Sequence, residues 1–344
     1  MKPVSLRMKI EEWPLATPFR ITGYTFHVIE VVVVELERDG SVGRGEAAGV
    51  YYKQDNPVSM IRQLESLRST IEAGLTRSAL QTMLPAGGAR NALDCALWDL
   101  EAKLTGVPVW QLADLGRPRP LLTTLGCGAD TPEKMVAVAR TYTQARAIKL
   151  KLTGEPIDAE RVRAVREALP HVWLAVDANQ GCTREFLEGL MPVLVDTRVS
   201  LIEQPFPVGQ EGLLDGFQSP IPIAADESVQ TCAEIPELTG RFHLLNVKLD
   251  KCGGLTEGLA MARMARECGL DTMVGNMIGT SLAMAPAFLV GQLCHVVDLD
   301  GPVFLRSDRS HPVDYTDGLI RCPEALWGGG GTDVAGPSAR SDIE

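Results

Sequence analysis

The 344-residue sequence predicts an α/β fold: a barrel of (β/α)8 type preceded by an α+β segment. Three observations predict it. From Leu121 onward, short apolar runs alternate with helical stretches: TTLGC, AIKLKL, WLAVDAN, SLIEQP, PIAADES, LLNVKL, TMVGN and HVVDLDG. A charged residue or a glycine marks nearly every run, at Lys149, Asp177, Glu203, Asp226, Lys248, Gly275 and Asp298. These stand roughly 25 positions apart, room for one helix and one strand, and in such barrels chemistry gathers at the C-terminal strand ends. Before Leu121 the texture differs, with strands first and helices after.

Within the front segment, VVVVELERDGSVGRGEA (31–47) is a β run, a turn at Asp39-Gly40 and a second β run, which is a hairpin pattern. Residues 57–115 switch to helical spacing. In ARNALDCALWDLEAKLTG (89–106), Leu93, Leu97, Leu100 and Leu104 recur three and four apart, and Gly106 stops the helix. The end of the chain from Gly328, GGGGTDVAGPSARSDIE, has linker composition.

Bulk composition narrows the function. A net charge of -11 argues against a nucleic-acid backbone as partner. The start, MKPVSLRMKIEEW, is charged and lacks the apolar core of a signal peptide. No run reaches the ~18 apolar residues of a membrane span. The eight cysteines are scattered without a CxxC, a pattern of reduced thiols rather than disulfides or a zinc site. The expectation is a cytoplasmic protein with neither nucleic-acid nor membrane partner.

Residues 148–154 read IKLKLTG. In a strand, residues i and i+2 face the same side, so Lys149 and Lys151 point one way and Ile148, Leu150 and Leu152 the other. Two ammonium groups aimed at one buried spot require something anionic there. Asp177, Glu203 and Asp226 close three consecutive strands. Converging without a cation, they would repel one another, and an oxygen-only set favours Mg²⁺ or Mn²⁺ over zinc. Capping the following helix explains any one of these acids, but not three at matching strand positions.

Lys248 lies past Asp226, so lysine-bearing strands flank the acids. Near a cation and partly desolvated, a lysine pKa falls and the amine can act as a base. One lysine can remove a proton from one face of a carbon and the other return it from the opposite face, with the metal holding the enolate between the steps. A salt bridge to Asp177 is the plainer role for Lys151 and is compatible with this one. Lys251 competes with Lys248. Lys248 is preferred because it shares strand parity with Asn246, whereas Lys251 runs into the CGG loop.

The KLK of 149–151, the DAN of 177–179, the IEQP of 202–205, the ADES of 225–228 and the NVKLDKCGG of 246–254 resemble the enolase superfamily, and within it the muconate lactonizing enzyme subgroup. The resemblance covers nearly the whole chain, including the front helix. It implies a modified TIM barrel, (β/α)7β, with an N-terminal α+β capping domain. On that plan residues 1–118 form the capping domain, 119–320 the barrel, and 321–344 a C-terminal tail that packs on the capping domain. It implies Asp177, Glu203 and Asp226 as Mg²⁺ ligands, Lys151 and Lys248 as the acid/base pair, and Lys149 as a polariser of a bound carboxylate. Asn179, Glu227 and Asn246 fall at supporting positions.

VVDLDGP (296–302) is similar to the DxD motif of dipeptide epimerases, whose two aspartates hold the substrate's ammonium group. Asp298 and Asp300 share strand parity, and two carboxylates favour a cationic end over another anion. The sequence resembles the L-Ala-D/L-Glu epimerases in this motif. This implies a homo-oligomeric isomerase that inverts the α-carbon of the C-terminal residue of an L-Ala-Xaa dipeptide through a metal-stabilised enolate.

One departure bears on the substrate. Members acting on Ala-Glu carry an arginine on the capping loop. Here that loop reads RITGYTFHVIE (20–30), with Arg20 at its start and Tyr24, Phe26 and His27 in its centre. Tyr24, Phe26, Tyr51, Tyr52 and Met277 are expected to shape a pocket for an apolar or aromatic side chain. The runner-up is a lyase of the same subgroup, o-succinylbenzoate synthase or muconate cycloisomerase, against which Asp298 and Asp300 argue. A Schiff-base aldolase would use a barrel lysine without a metal. A non-catalytic barrel leaves a lysine on each side of the acids unexplained.

Overall fold

The computed structural model describes residues 3–21 and 23–331. The front of the chain forms an antiparallel sheet of β1 (Ser5–Ile21), β2 (Tyr24–Arg38) and β3 (Ser41–Ala47) in that order. All four valines of 31–34 are buried because strand alternation sends them to two different cores. Val32 and Val34 join Leu36, Leu64, Leu80 and Leu93, while Val31 and Val33 join the cluster that runs into the barrel. Asp39 and Gly40, at φ 50° and 78°, make the expected two-residue turn, whose left-handed residues match the strand twist.

The helix Gly88–Thr105 packs on β3 and ends at Gly106 in the left-handed conformation. Its close approach depends on Gly43 and Gly45. A Cβ at Gly45 would stand 2.0 Å from the Ala92 carbonyl oxygen, and one at Gly43 2.3 Å from that of Ala96.

Residues 20–30, expected as a capping loop, are instead the end of a hairpin. After Trp13 pairs with Ile29, the ladder passes a bulge between Pro14 and Phe19 and resumes at Phe19–Phe26 and Ile21–Tyr24. Phe19 opposes Phe26 across the ladder, and the Phe19 ring packs on Phe304 with centroids 4.5 Å apart.

A short strand, β4 (Leu121–Leu122), precedes eight parallel strands. These are β5 (Leu125–Cys127), β6 (Ala147–Lys151), β7 (Trp173–Asp177), β8 (Leu201–Glu203), β9 (Ile223–Ala225), β10 (Leu244–Lys248), β11 (Asp271–Gly275) and β12 (Val296–Val297), neighbours in chain order. The Thr124 amide donates to the Val297 carbonyl at 2.9 Å, so the sheet curls until its last strand meets its first. The helices that connect these strands cover the outside. Between β8 and β9 the connection carries only a 3₁₀ turn, Glu211–Leu214, and β12 is followed by a 3₁₀ turn rather than a helix. This is the (β/α)7β plan with one crossover reduced. The chain then returns through β13 (Asp314–Thr316) and β14 (Leu319–Arg321), which pairs with β4.

Leu326–Gly328 reach back to the N-terminal domain. Trp327 Nε1 donates to the Arg44 carbonyl, the Gly328 amide to Asp99 Oδ1, and Arg44 Nη2 to the Leu326 carbonyl, at 2.8, 2.8 and 2.7 Å. Residues 332–344 of the expected tail lie outside the described residues. The eight cysteines are unpaired, and no helix among the described residues is long and apolar enough to cross a membrane.

Asp250 ties the two domains together by accepting the Gly49 amide at 2.8 Å. Burial, with Asp55 and Glu46 adding their charge, pushes its carboxyl up to about 7. The folded protein therefore keeps a proton that the unfolded chain loses near pH ~4. The stability tied to that proton is complete below about pH 4 and is lost as pH rises to about 7. Urea unfolding of wild type against Asp250→Asn, which keeps an acceptor for Gly49, is expected to show wild type losing ground across this window and running parallel above it. A constant difference from pH 4 to 8 would contradict this.

Candidate active site

The strand ends deliver the sequence-predicted residues to one level of the barrel mouth. Lys151, last in β6, pairs in register with Asp177, last in β7, which pairs with Glu203, last in β8. Asp226 follows β9 directly, and Lys248 ends β10 opposite Gly275. Gly275 is required there by space: a Cβ would stand 2.6 Å from Asn246 Oδ1 and 3.0 Å from Lys248 Cε.

Each acid is buried and turned onto a lysine. Lys151 Nζ lies 2.5 Å from Asp177 Oδ2, the contact that the sequence offers as the plainer role for Lys151. Lys149 Nζ lies 2.9 Å from Glu203 Oε2 and also bonds Asp298. Lys248 Nζ lies 2.6 Å from Asp226 Oδ2, and Lys251 Nζ 2.6 Å from Asp226 Oδ1. Asn246 Nδ2 donates to Glu203 Oε1 at 2.6 Å, and Asn179 Nδ2 approaches Asp177 and Glu227 at 3.4 Å each.

Strand parity with Asn246 favours Lys248 over Lys251, which the sequence runs into the CGG loop. A short helix, Leu249–Cys252, turns it inward, and it is 1 % exposed. Gln204 carried no expected role. At φ 32°, its buried side chain accepts the amides of Asp226 and Ser228 and donates to the Phe206 carbonyl, which fixes the turn after β9. Its signal in the sequence was only a lone amide at a strand end.

The electrostatics follow from this pairing. Burial raises the Glu203 carboxyl, Asp177 and Asp226 raise it further, and Lys149 opposes them. Burial also pushes Asp226 upward, but Lys248 and Lys251 outweigh it and hold Asp226 well below the usual carboxylate range. Glu227 is pushed up to about 7 by burial, with Asp226 and Asp177 adding to it. Burial lowers Lys248, yet Asp226 and Glu203 outweigh it and hold the ammonium well above the ordinary lysine range. The lowering expected from the sequence belongs to an amine beside a cation; the pairing with Asp226 and Glu203 acts in the other direction.

Among the described residues, no three of His, Cys, Asp and Glu are gathered into a ligating cluster, since lysines engage the acids. The donor set still fits a hard divalent cation. Three carboxylates from neighbouring strands offer only oxygen. Around them, Asn179 Oδ1, Glu227 Oε2 and Asn246 Oδ1 are buried acceptors without a hydrogen-bond donor among the described residues.

A cavity of about 290 Å³ lies between the N-terminal domain and the barrel mouth. Lys151, Lys248, Asp226, Asn179 and Glu227 line it from the barrel, joined by Met277, while Phe26, Tyr51 and Tyr52 line it from the N-terminal domain. Lys149, Asp177, Glu203 and Asn246 are not part of its wall. Tyr24 also stands outside it, 44 % exposed, with its ring edge-on to Tyr51 at 4.5 Å.

Asp298 and Asp300 do not reach the wall. Strand β12 is only two residues long, so the parity of the motif does not carry both side chains to one surface. Asp298 is bonded to Lys149 and Thr124. Asp300 Oδ2 accepts the Gly126 amide at 2.6 Å, and Asn276 Nδ2 lies 3.4 Å from its Oδ1. Burial, with Asp298 adding its charge, pushes the Asp300 carboxyl up to about 7.

A curled parallel sheet with acids on three successive strand ends, lysines on the strands to either side and an α+β domain above them defines a class of protein. The chain belongs to the enolase superfamily: residues 134–334 match the enolase C-terminal domain-like family, and residues 4–115 the mandelate racemase / muconate lactonizing enzyme N-terminal domain. It is similar to the L-Ala-D/L-Glu epimerase of Escherichia coli K12, 41% identical over 90% of this chain and 97% of that one. It is 42% identical to an N-acetyl-D-glutamate racemase of Pseudoalteromonas, over 73% of this chain and 80% of that one. The structure of a dipeptide epimerase from Methylococcus capsulatus, complexed with Mg and L-Arg-D-Lys, superposes with a TM-score of 0.88 at 31% identity, covering 96% of this chain and 99% of that one.

Proposed function

We propose that the protein is a divalent-metal-dependent dipeptide epimerase that inverts the α-carbon of the C-terminal residue by two-base proton transfer. One observation carries this. Lys151 and Lys248 line the same cavity from strands on either flank of the three that bear the acids. An α-carbon held between them turns one face to each. For one configuration, the first lysine, as the free amine, takes the α-proton, and the second, as the ammonium, delivers a proton to the opposite face. For the other configuration the roles exchange.

Lys149, fixed by Glu203 and Asp298, places further positive charge beside the acids and draws density from the substrate carboxylate. Asp177, Glu203 and Asp226 would hold Mg²⁺ or Mn²⁺, which supplies positive charge against the carboxylate as the α-carbon loses its proton. Asn246 orients Glu203, and Asn179 links Asp177 to Glu227. The fit of Mg²⁺ and a dipeptide to the superposed relative supports this reading.

The cavity wall also bears on the side chain. Apart from Lys151 and Lys248 it carries no cation among the described residues, and Phe19, Phe26, Tyr51, Met277 and Ile278 make much of it apolar. Such a wall favours an apolar or aromatic side chain over a glutamate. In D₂O with Mg²⁺, L-Ala-L-Leu and L-Ala-L-Phe are expected to gain α-deuterium at least about tenfold faster than L-Ala-L-Glu. A strong preference for L-Ala-L-Glu would contradict this.

A second reading keeps the chemistry and changes the amino end. Asp298 and Asp300 stand outside the wall and are bonded to Lys149, Thr124 and Gly126, so a substrate ammonium would share carboxylates that already have partners. An N-acyl amino acid offers the same amide and carboxylate without that ammonium, and one relative is named for such a substrate. Adding N-acetyl amino acids to the same D₂O panel separates the two. Exchange on them with none on dipeptides would put the second reading first.

A further inference from the structure

We propose that Glu46 is a positioning residue that, from the N-terminal domain, sets the cavity wall at Met277 and Ile278 and so governs how tightly substrate is held. This rests on the cavity being the substrate site. Glu46 lies in β3 opposite Val33. Cross-strand partners share a face of the sheet, and Val33 faces the cluster that runs into the barrel. The Glu46 carboxylate is therefore sent toward the barrel. There it is 1 % exposed, where a charge needs several partners.

Its partners lie directly after the wall. Asn276, Met277 and Ile278, in the loop that follows β11, line the cavity. Two residues past Ile278, the Thr280 amide donates to Glu46 Oε1 at 2.7 Å and the Thr280 hydroxyl donates to Glu46 Oε2. Arg309 Nη2 lies 2.6 Å from the same Oε2, and Arg309 Nε donates to the Thr280 hydroxyl oxygen at 2.9 Å. Gly279, between wall and anchor, has no slack. A Cβ on it would stand 3.2 Å from Glu46 Oε1, and a Cβ on Gly301 would stand 3.0 Å from both the Gly279 amide nitrogen and its carbonyl oxygen.

The loop is thus fixed between Glu46 on one side and Gly301 on the other, and side chains two and three residues from the anchor follow it. The two lysines are held by other groups, Lys151 by Asp177 and Lys248 by Asp226. Loosening Glu46 therefore acts on binding rather than on proton transfer, and a loss of binding alone raises KM at constant kcat.

The test is Glu46→Gln in the full-length protein, with Glu11→Gln as control. Glu11 Oε2 lies 2.6 Å from the same Arg309 Nη2, so its loss weakens the same ion pairs without removing an acceptor of Thr280. Amide hydrogen exchange over residues 276–281 is followed without substrate, and kcat and KM for α-proton exchange are measured with Mg²⁺ on the best substrate of the panel. Glu46→Gln is expected to exchange faster in that segment, with KM raised roughly 5- to 50-fold and kcat within about threefold of wild type. Glu11→Gln is expected to keep the wild-type exchange there and KM within about twofold. Thr280→Val, which removes the hydroxyl alone, is read in the same way if Glu46→Gln does not fold. Wild-type KM in the Glu46 variant overturns the proposal. So does an equal rise in KM in the Glu11 variant, which would assign the effect to the fold, or a loss confined to kcat. Failure of the wild-type protein itself to exchange any dipeptide or N-acyl amino acid overturns the functional reading and this proposal with it, and is distinguishable because it needs no variant.

Discussion

Lys151→Ala is expected to stop inversion while leaving α-proton exchange on one configuration of the substrate. Each lysine serves one face, so removing one leaves the other able to take and return a proton on its own side. Inversion needs both. The loss in the rate of inversion is expected to be at least 10²–10⁴-fold, the range of a positioned general acid or base. Lys248→Ala is expected to give the mirror result, with exchange surviving only on the opposite configuration.

The geometry argues that both variants fold. Asp177 keeps Lys149 at 3.8 Å when Lys151 is gone, and Asp226 keeps Lys251 at 2.6 Å when Lys248 is gone. Neither substitution strands a buried carboxylate. Chiral chromatography with mass spectrometry on separated substrate isomers reads exchange and inversion together. Equal residual exchange on both configurations in either variant would contradict a two-base arrangement.

Asp226→Ala is expected to be among the most destabilising single changes in the barrel, by about 3–5 kcal/mol, because it leaves charged partners buried without a counter-ion. Asp226 is 1 % exposed and holds two ammonium groups, Lys248 on one carboxylate oxygen and Lys251 on the other. Lys248 retains Glu203 as a more distant negative charge, whereas Lys251, itself 1 % exposed, is given its ion pair by Asp226 alone among the described residues. Urea unfolding should show the midpoint falling with little change in slope. Adding Lys251→Met should recover part of the loss, since it removes the stranded charge. A shift under about 1 kcal/mol for Asp226→Ala would contradict the assignment of Asp226 as the anchor of both lysines.

The barrel was legible because its strand ends break a physical rule. A buried run such as AIKLKL has no reason to carry two lysines unless acids wait opposite, and WLAVDAN, SLIEQP and IAADES supply them. The period of the runs then gives the topology. The strands themselves are short, which made the charged ends more informative than the apolar stretches.

What was not legible depended on geometry beyond strand parity. The hairpin through residues 20–30 looked like a loop because its pairing resumes only after a bulge, with exposed polar residues on both sides. Lys251 leaves the strand pattern and returns through a single helical turn. Asp298 and Asp300 share parity on paper, but β12 ends at Val297 and the second aspartate turns to Gly126 and Asn276. Gly43, Gly45 and Gly275 look like ordinary glycines until the helix and the lysine that need their space are in view.

The most direct test of the account starts from each pure configuration of one substrate, in D₂O, with wild-type protein and Mg²⁺. The account predicts that both converge on the same mixture, that each inverted molecule carries one deuterium at the α-carbon, and that a chelator stops the conversion until Mg²⁺ is restored. Inversion without incorporation of solvent deuterium, or with full activity in the chelator, would contradict it.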